Sequence, residues 1–415
     1  MTKANLEKWL RQGRGNAALY VQTKRAAEYR DALLDACTHN LCYDRQCEET
    51  RGYYLANLVG MTSRPKYFRD GVLGALRSET NEFGPDDVVQ MFGLARHWAE
   101  GRQVLYDVFA RRGFRSAGIG CAQYLVKMDG VDALLFTLQY FGRIAKSEQA
   151  WQFQSLVSEL EEKEGAEKAA GMLAEAAPGD RRLARLMKFV REAEEPEVKK
   201  AGPRASYESA RRKVRGQQSR VTSLVVWARK TTAKELRLAA DDFRKEKDEG
   251  RLLQYMRIFG FRDFPGSYDK LIELTTRGNW RLSHAAANIL AKIDAPELRA
   301  IGLELLASAD RCDLGLTLLK GRGRPGDYPR IEAALRRKMD DGLYHSFGIN
   351  VREYVASNFT REAVPCLLLV YEDGLCSMCR RSVVQKLIEL DALPEYIREE
   401  CQYDADSDTR QLVGK

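Results

Sequence analysis

The sequence predicts an all-α protein arranged as an α-solenoid of stacked helical hairpins, with a period of about 32 residues in its C-terminal part. Three observations carry that expectation. Short amphipathic runs follow one another, punctuated by Gly101, Gly113, Gly118, Gly120, Gly130, Gly142 and Gly165, which is the rhythm of helix, turn and helix. Strand-like runs are few, and the best two, Leu224-Val225-Val226-Trp227 and Leu367-Leu368-Leu369-Val370-Tyr371, each sit inside a longer helical pattern. The chain is also self-similar. Gly342-Leu343 stands 32 residues before Gly374-Leu375 and Gly278 stands 96 before Gly374, a register in which Ala287, Leu319, Val351 and Val383 coincide, as do Val355 and Leu387. Units that recur at such a spacing bury their apolar faces against neighbouring units.

In chain order, residues 1–190 read as an N-terminal helical region. Leu6, Trp9 and Leu10 make a short amphipathic helix, and Ala18, Val21, Ala26, Tyr29, Leu33 and Ala36 a longer one at mixed three- and four-residue spacing. Ser63-Arg64-Pro65 breaks that pattern, and residues 81–87 form a loop running into a helix start with Pro85 and two acids in its first turn. Ala177-Pro178-Gly179-Asp180 is a turn. Residues 191–203 are polar and twice broken by proline, the composition of a linker. A basic helical segment follows over 204–264, and the clearest repeats occupy 265–415. Within them Leu290-x-x-Ile293-Asp294-Ala295 pairs with Leu387-x-x-Leu390-Asp391-Ala392, and 404–413 reads as the opening of one further unit.

The repeats resemble HEAT-like units, in which a turn rich in Asp, Gly or Asn leads through Trp or Val and Arg into an inner helix of Ala, Val and Leu. Here Gly278-Asn279-Trp280-Arg281 leads into Ala285-Ala286-Ala287-x-x-Leu290, and Asp406-Ser407-Asp408-Thr409-Arg410 into Leu412-Val413. The resemblance implies a partner-binding concave face, with Trp280, Arg281 and His284 as its contact residues, and no particular reaction. A DNA glycosylase family specific for alkylated purines is also built from HEAT-like repeats, and this chain is similar to it in repeat type and basic charge. Its catalytic motif has no counterpart here.

The 415 residues are 44% apolar and 30% charged, a globular composition with a wide solvated surface. The net charge of +8 is local. Lys199, Lys200, Arg204, Arg211, Arg212, Lys213, Arg215, Arg220, Arg229 and Lys230 face only Glu208 within residues 199–230, a net +9, so the remainder sums to −1. Tyr207, Ala210, Val214, Gln217, Val221, Leu224 and Ala228 give the same segment an apolar stripe, so one face can dock while the arginines face outward. The segment reads as a solvated helix face, or as a contact for nucleic acid or another polyanion. Its aromatics, Tyr207 and Trp227, are too few for single-strand reading by stacking.

Signals for chemistry are weak. Gly321-Arg322-Gly323-Arg324-Pro325-Gly326 matches the dinucleotide fingerprint in letters but follows a helical run and holds a proline, so it reads as a connecting loop. Cys376-x-x-Cys379 reads as small thiols at a helix start, with zinc shared by Cys366 and Cys401 as the alternative; Cys37, His39, Cys42 and Cys47 match no standard spacing. Asp404, Asp406 and Asp408 lack the Gly and Glu of a calcium loop and suit a helix N-terminus instead. No catalytic constellation, metal site or cofactor is expected. The expected protein is a non-enzymatic scaffold for a protein partner, with nucleic acid as the second class of partner. Nine cysteines without regular spacing, no signal-like apolar core and no apolar run of membrane-spanning length lead us to expect a cytoplasmic protein with no membrane association.

Overall fold

A computed structural model describes residues 2–45, 47–48, 51–78, 83–141, 146–194, 206–216 and 221–414. These residues form helices and no strand. The helices are α1 (Lys3–Gln12), α2 (Asn16–Thr23), α3 (Ala26–Thr38), α4 (Gly52–Met61), α5 (Pro65–Arg77), α6 (Pro85–Ala95), α7 (Gly101–Asp129), α8 (Val131–Leu138), α9 (Lys146–Glu164), α10 (Ala166–Ala176) and α11 (Arg181–Glu194). They continue through α12 (Tyr207–Arg215), α13 (Val221–Lys230), α14 (Ala233–Lys245), α15 (Glu249–Phe259), α16 (Asp269–Arg277), α17 (Trp280–Leu290), α18 (Glu297–Ala307) and α19 (Cys312–Leu319). The series ends with α20 (Tyr328–Leu335), α21 (Asp341–Ser357), α22 (Val364–Asp373), α23 (Ser377–Glu389), α24 (Glu395–Cys401) and α25 (Ser407–Val413). Both strand-like runs of the sequence lie in helices, one in α13 and the other in α22. Among the described residues no helix is long and apolar enough to cross a membrane.

The chain divides into two compact units. The first comprises Met1–Val198, Leu375–Arg381 and Leu393–Lys415, and the second Lys199–Gly374 and Ser382–Ala392. Most of the predicted linker, residues 195–203, lies outside the described residues.

In the first unit α1 packs on α2 and α3, α4 on α2 and α6, α7 on α5, α6, α8 and α9, and α9 on α10 and α11. Leu6, Tyr20, Tyr29, Phe68, Phe92 and Phe109 are among its fully buried side chains. The last residues of the chain fold against the first by buried charge. Arg14 grips Glu400 through two bonds of 2.6 and 2.7 Å, and Arg380 grips Asp404 at 2.8 and 3.0 Å. Glu48 accepts from the Ser377 hydroxyl at 2.7 Å, and the Ala405 amide donates to the Gly13 carbonyl at 2.9 Å. Such close backbone approach requires glycine: a Cβ on Gly15 would lie 1.8 Å from the Glu400 carbonyl oxygen.

The second unit pairs α16 with α17, α18 with α19 and α20 with α21. Along the chain α13, α15, α17, α19 and α21 pack each on the next, and α18, α20 and α22 do likewise. Between α18 and α19 the backbones nearly touch, because a Cβ on Gly315 would lie 2.3 Å from the Leu306 nitrogen. Helix ends are tied across hairpins by cations. Arg262 donates to the Ala228 carbonyl at the end of α13, Lys292 to Gly260 after α15, and Arg322 to Leu290, Ala291 and Ile293 after α17. Arg311 does the same for Thr275 and Gly278 around the end of α16, and Arg337 for Leu306, Ala307 and Ser308 at the end of α18. In the first unit Arg111 caps α5 at Leu76 and Arg77, and Lys163 caps α7 at Lys127 and Met128. The last carbonyls of a helix have no partner within it and carry the negative end of its dipole, so a cation there satisfies both needs.

Asp327 is buried at the start of α20 and accepts from Arg299 at 2.7 and 2.8 Å, the Arg324 amide at 2.9 Å and the Tyr354 hydroxyl at 2.8 Å. Burial pulls its pKa upward, but these donors outweigh burial and hold it below the usual carboxylate range. With the folded value depressed, the charged carboxylate stabilises the protein above its unfolded value of about 4, and that contribution is lost as pH falls through the folded value. Asp327→Asn therefore lowers stability at pH 7 by about 3 kcal/mol, a typical figure for breaking a buried pair. The deficit shrinks at pH 3 in denaturant titrations; an equal deficit at both pH values would remove charge as the cause. For the first unit, Gly15→Ala destabilises by about 3 kcal/mol or more, because backbone must shift. Gly74→Ala, where an added Cβ meets nothing within 4 Å in mid-helix α5, stabilises by about 0.5–1 kcal/mol in the same assay.

Candidate functional site

The starts of α17, α19 and α21 surround a cleft of about 870 Å³ within the second unit. The sequence shapes two of these three helix starts by capping. Asn279 caps α17 by accepting the Leu282 amide at 3.1 Å, and Asp340 caps α21 by accepting the Leu343 amide at 2.9 Å. At the start of α19 the Asp313 carboxylate accepts the Leu314 amide at 2.8 Å. In each case a side-chain oxygen takes a backbone N–H of the first turn.

Asp313 is the hub of the site. Only 2% exposed, it places Oδ2 2.8 Å from the Ser346 hydroxyl and 3.2 Å from Nε2 of His284. Its backbone carbonyl accepts from Asn350 Nδ2 at 2.9 Å, and Asn350 Oδ1 accepts from Lys320 at 2.9 Å. Asp313 on α19 and Lys320 just past its end face Ser346, Asn350 and Glu353, which follow one another at four- and three-residue steps along one face of α21. Lys320 and Glu353 close the series.

The hydroxyl, carboxylate and imidazole are not arranged to activate a nucleophile. Ser346 and His284 both reach the same carboxylate oxygen, so the imidazole does not stand between carboxylate and hydroxyl, as proton removal from serine requires. The adjacent Cys312 thiol is pushed up to about 11 by burial, with Asp313 adding to the shift, and stays protonated.

At the cleft, α17 presents Trp280 at 71% exposure, more than any other large apolar side chain among the described residues. The Arg281 guanidinium lies 5.3 Å from the Trp280 ring centre, and His284 meets that ring edge-on at 6.3 Å. The three contact residues expected from the sequence therefore form one cluster. Asp310 and Asp340 expose carboxylates at the same cleft. The Ser308 hydroxyl, donating at 2.6 Å, and Arg311 outweigh slight burial and hold Asp310 below the usual carboxylate range. Arg311 lines the cleft too; its guanidinium donates to the carbonyls of Thr275 and Gly278 and to the Ser283 hydroxyl, and its Nε stands 3.9 Å from Oδ2 of Asp310.

Asp310, Asp313, Asp340 and Ser346 did not emerge from the sequence as site residues. The repeat register held the signal: Asp313 lies 29 residues beyond His284 and Ser346 a further 33, close to one unit each.

The basic segment divides differently from its sequence pattern. Lys199, Lys200, Arg204 and Arg220 lie outside the described residues. Arg211 pairs with Asp242 at 2.7 Å, while Arg212, Lys213 and Arg215 are exposed on α12 opposite the buried Ala210 and Val214. Arg229 and Lys230 are exposed at the end of α13, where Arg229 covers the ring of the half-exposed Phe261 at 5.2 Å. Trp227 is buried, and Tyr207 donates to Asp242 at 2.6 Å. The single apolar stripe is carried by two helices, α12 and α13.

The glycine-rich run 321–326 connects α19 to α20, and Asp406 caps α25 by accepting the Thr409 amide at 2.8 Å. The sulfurs of Cys376 and Cys379 lie within 4.8 Å of each other, and neither Cys366 nor Cys401 joins them; Cys37, His39, Cys42 and Cys47 do not converge.

Ser346→Ala removes one charge-assisted bond from a buried carboxylate and lowers stability by about 1.5–3 kcal/mol. Asp313→Ala, which strands the hydroxyl, imidazole and helix start together, lowers it by more. The double variant is no worse than Asp313→Ala alone in a denaturation cycle; additive losses would show that the two groups do not act through one bond. Comparison of the sequence with protein-family models, curated proteins and solved structures finds no match.

Proposed function

We propose that this chain is a non-enzymatic interaction protein of HEAT-like α-solenoid type, binding a protein partner across the α17–α19–α21 face of its second unit. The observation that carries this reading is Trp280, held 71% exposed beside an open cleft. Tryptophan and arginine dominate the energetics of protein interfaces, and Trp280 stands with Arg281 stacked on it. A single exposed residue is ordinary, but a large aromatic at a concave polar site is the composition of a binding surface. The hairpin pairing of α16 to α21 and the near-32-residue spacing of site residues support the solenoid part of the reading.

A second reading, contact with nucleic acid, is favoured by Arg212, Lys213 and Arg215, which are exposed on one short helix. Glycosylase-like chemistry would be an extension of that reading.

A photo-crosslinking amino acid at Arg281, with another at the exposed Leu238 on α14 as control, tests the first reading in cells that make the protein. A discrete protein adduct from position 281 alone, lost in Trp280→Ala, is expected. No adduct, or the same adduct from both positions, would sink the proposal. Fluorescence anisotropy of labelled duplex and single-stranded DNA and RNA over a salt series tests the second. Phosphate contacts give an affinity falling steeply with salt, abolished when Arg212, Lys213 and Arg215 are changed to glutamine. That outcome would put the nucleic-acid reading first.

A further inference from the structure

We infer that the cleft beside Trp280 receives a cationic side chain, an arginine or lysine carried on an extended segment of the protein partner. The inference rests on the proposed partner-binding reading and assigns that partner its chemistry.

Charge comes first. The cleft exposes the carboxylates of Asp310 and Asp340, with Asp313 behind them, in a chain whose net charge is +8. The one arginine in the lining, Arg311, donates to two backbone carbonyls and the Ser283 hydroxyl at the end of α16 and stands 3.9 Å from the Asp310 carboxylate, so one arginine faces the three carboxylates of Asp310, Asp313 and Asp340. A cavity lined by more carboxylates than arginines favours a cation by complementarity of potential.

The helix starts would ordinarily argue for the opposite ligand, since free N–H groups at an N-terminus attract anions. Here one first-turn amide of each helix is already engaged, by Asn279 on α17, Asp313 on α19 and Asp340 on α21, and carboxylates stand beside the rest. Two of the three accepting side chains, Asp313 and Asp340, are themselves carboxylates. A phosphate would therefore meet acids where it needs donors, and nucleic acid is the wrong partner for this cleft.

The aromatic supplies the second contact. Arg281 lies over the Trp280 ring, yet the side chain remains 71% exposed, leaving surface on which another guanidinium or ammonium can stack. A volume of about 870 Å³ admits a long side chain together with the backbone that carries it.

The test uses the full chain labelled with 5-fluorotryptophan, whose five tryptophans give separate fluorine NMR signals, the Trp280 signal being assigned from Trp280→Phe. The probes are acetyl-Gly-Arg-Gly-amide, its citrulline counterpart (neutral and nearly isosteric) and spermidine. The arginine peptide should move the Trp280 signal saturably. Citrulline, or arginine with the Asp310→Asn/Asp340→Asn double variant, should bind at least about five-fold more weakly. Asparagine caps helices as aspartate does, so the double variant keeps the start of α21, and its other four tryptophan signals report that it is folded. Equal shifts with citrulline, an unchanged affinity in the double variant, or no shift with arginine would each overturn the assignment. Spermidine matching the peptide at equal concentration would overturn the polypeptide as the source of the cation. A crosslinked protein at position 281 without any arginine response would remove the cation inference and leave the interaction reading in place. Absence of both would remove the two together.

Discussion

The second unit depends on one recurring interaction, a cation donated to the last carbonyls of a helix from the following hairpin. Arg262, Lys292, Arg311, Arg322 and Arg337 each do this, reaching back 29 to 36 residues. A helix that ends in a crowded stack cannot rely on water for all its terminal carbonyls, and a buried carbonyl without a partner is destabilising. The cation supplies donors and opposes the dipole, and because it comes from the next hairpin it also couples neighbours. Isolated hairpins of this length would be marginal. The same device changes how the protein's basicity is read: these arginines and lysines face backbone oxygen, which leaves residues such as Arg212, Lys213 and Arg215 as the cations presented to solvent.

Much of the local structure was legible because its causes are local. Pro65 and Pro85 open α5 and α6, and Asn279, Asp340 and Asp406 cap the helices they precede. The apolar runs in α13 and α22 resolve as helix because the three- and four-residue spacing around them outweighs their β-branched content. What the sequence did not disclose is long-range. Arg14 and Glu400 are separated by 386 residues, and a period read from adjacent units holds no information about so distant a partner. The close approach at Gly15 is equally silent in the sequence, since a glycine in a turn looks the same whether it faces solvent or another backbone.

The site divides along the same line. Trp280, Arg281 and His284 were legible as a group because they share one helix start. Asp313 was not, because an acid between Cys312 and Leu314 at the beginning of an apolar helix reads as a dipole complement. It does serve that helix start, and it also collects Ser346 and His284 from the two neighbouring helices of the stack. One buried carboxylate thus fixes the spacing of three helix starts. Residues presented from helices locked in this way are better positioned than residues on a loop, which is what a binding surface needs of its support.

The two ends of these stacked helices follow one electrostatic rule. At their C-terminal ends, where the dipole is negative, Lys292 and Arg322, just past α17 and α19, donate to carbonyls just past α15 and α17. At the opposite ends, where the dipole is positive, the side chains of Asn279, Asp313 and Asp340 take the amides. One first-turn amide of each helix is thereby taken by a side-chain oxygen. The potential at the cleft also carries its side chains, with Asp310 and Asp340 open to solvent and Arg311 shared between the end of α16 and Asp310. At a surface whose three helix starts alone would draw anions, the exposed carboxylates of Asp310 and Asp340 oppose that pull, and Trp280 stands beside them.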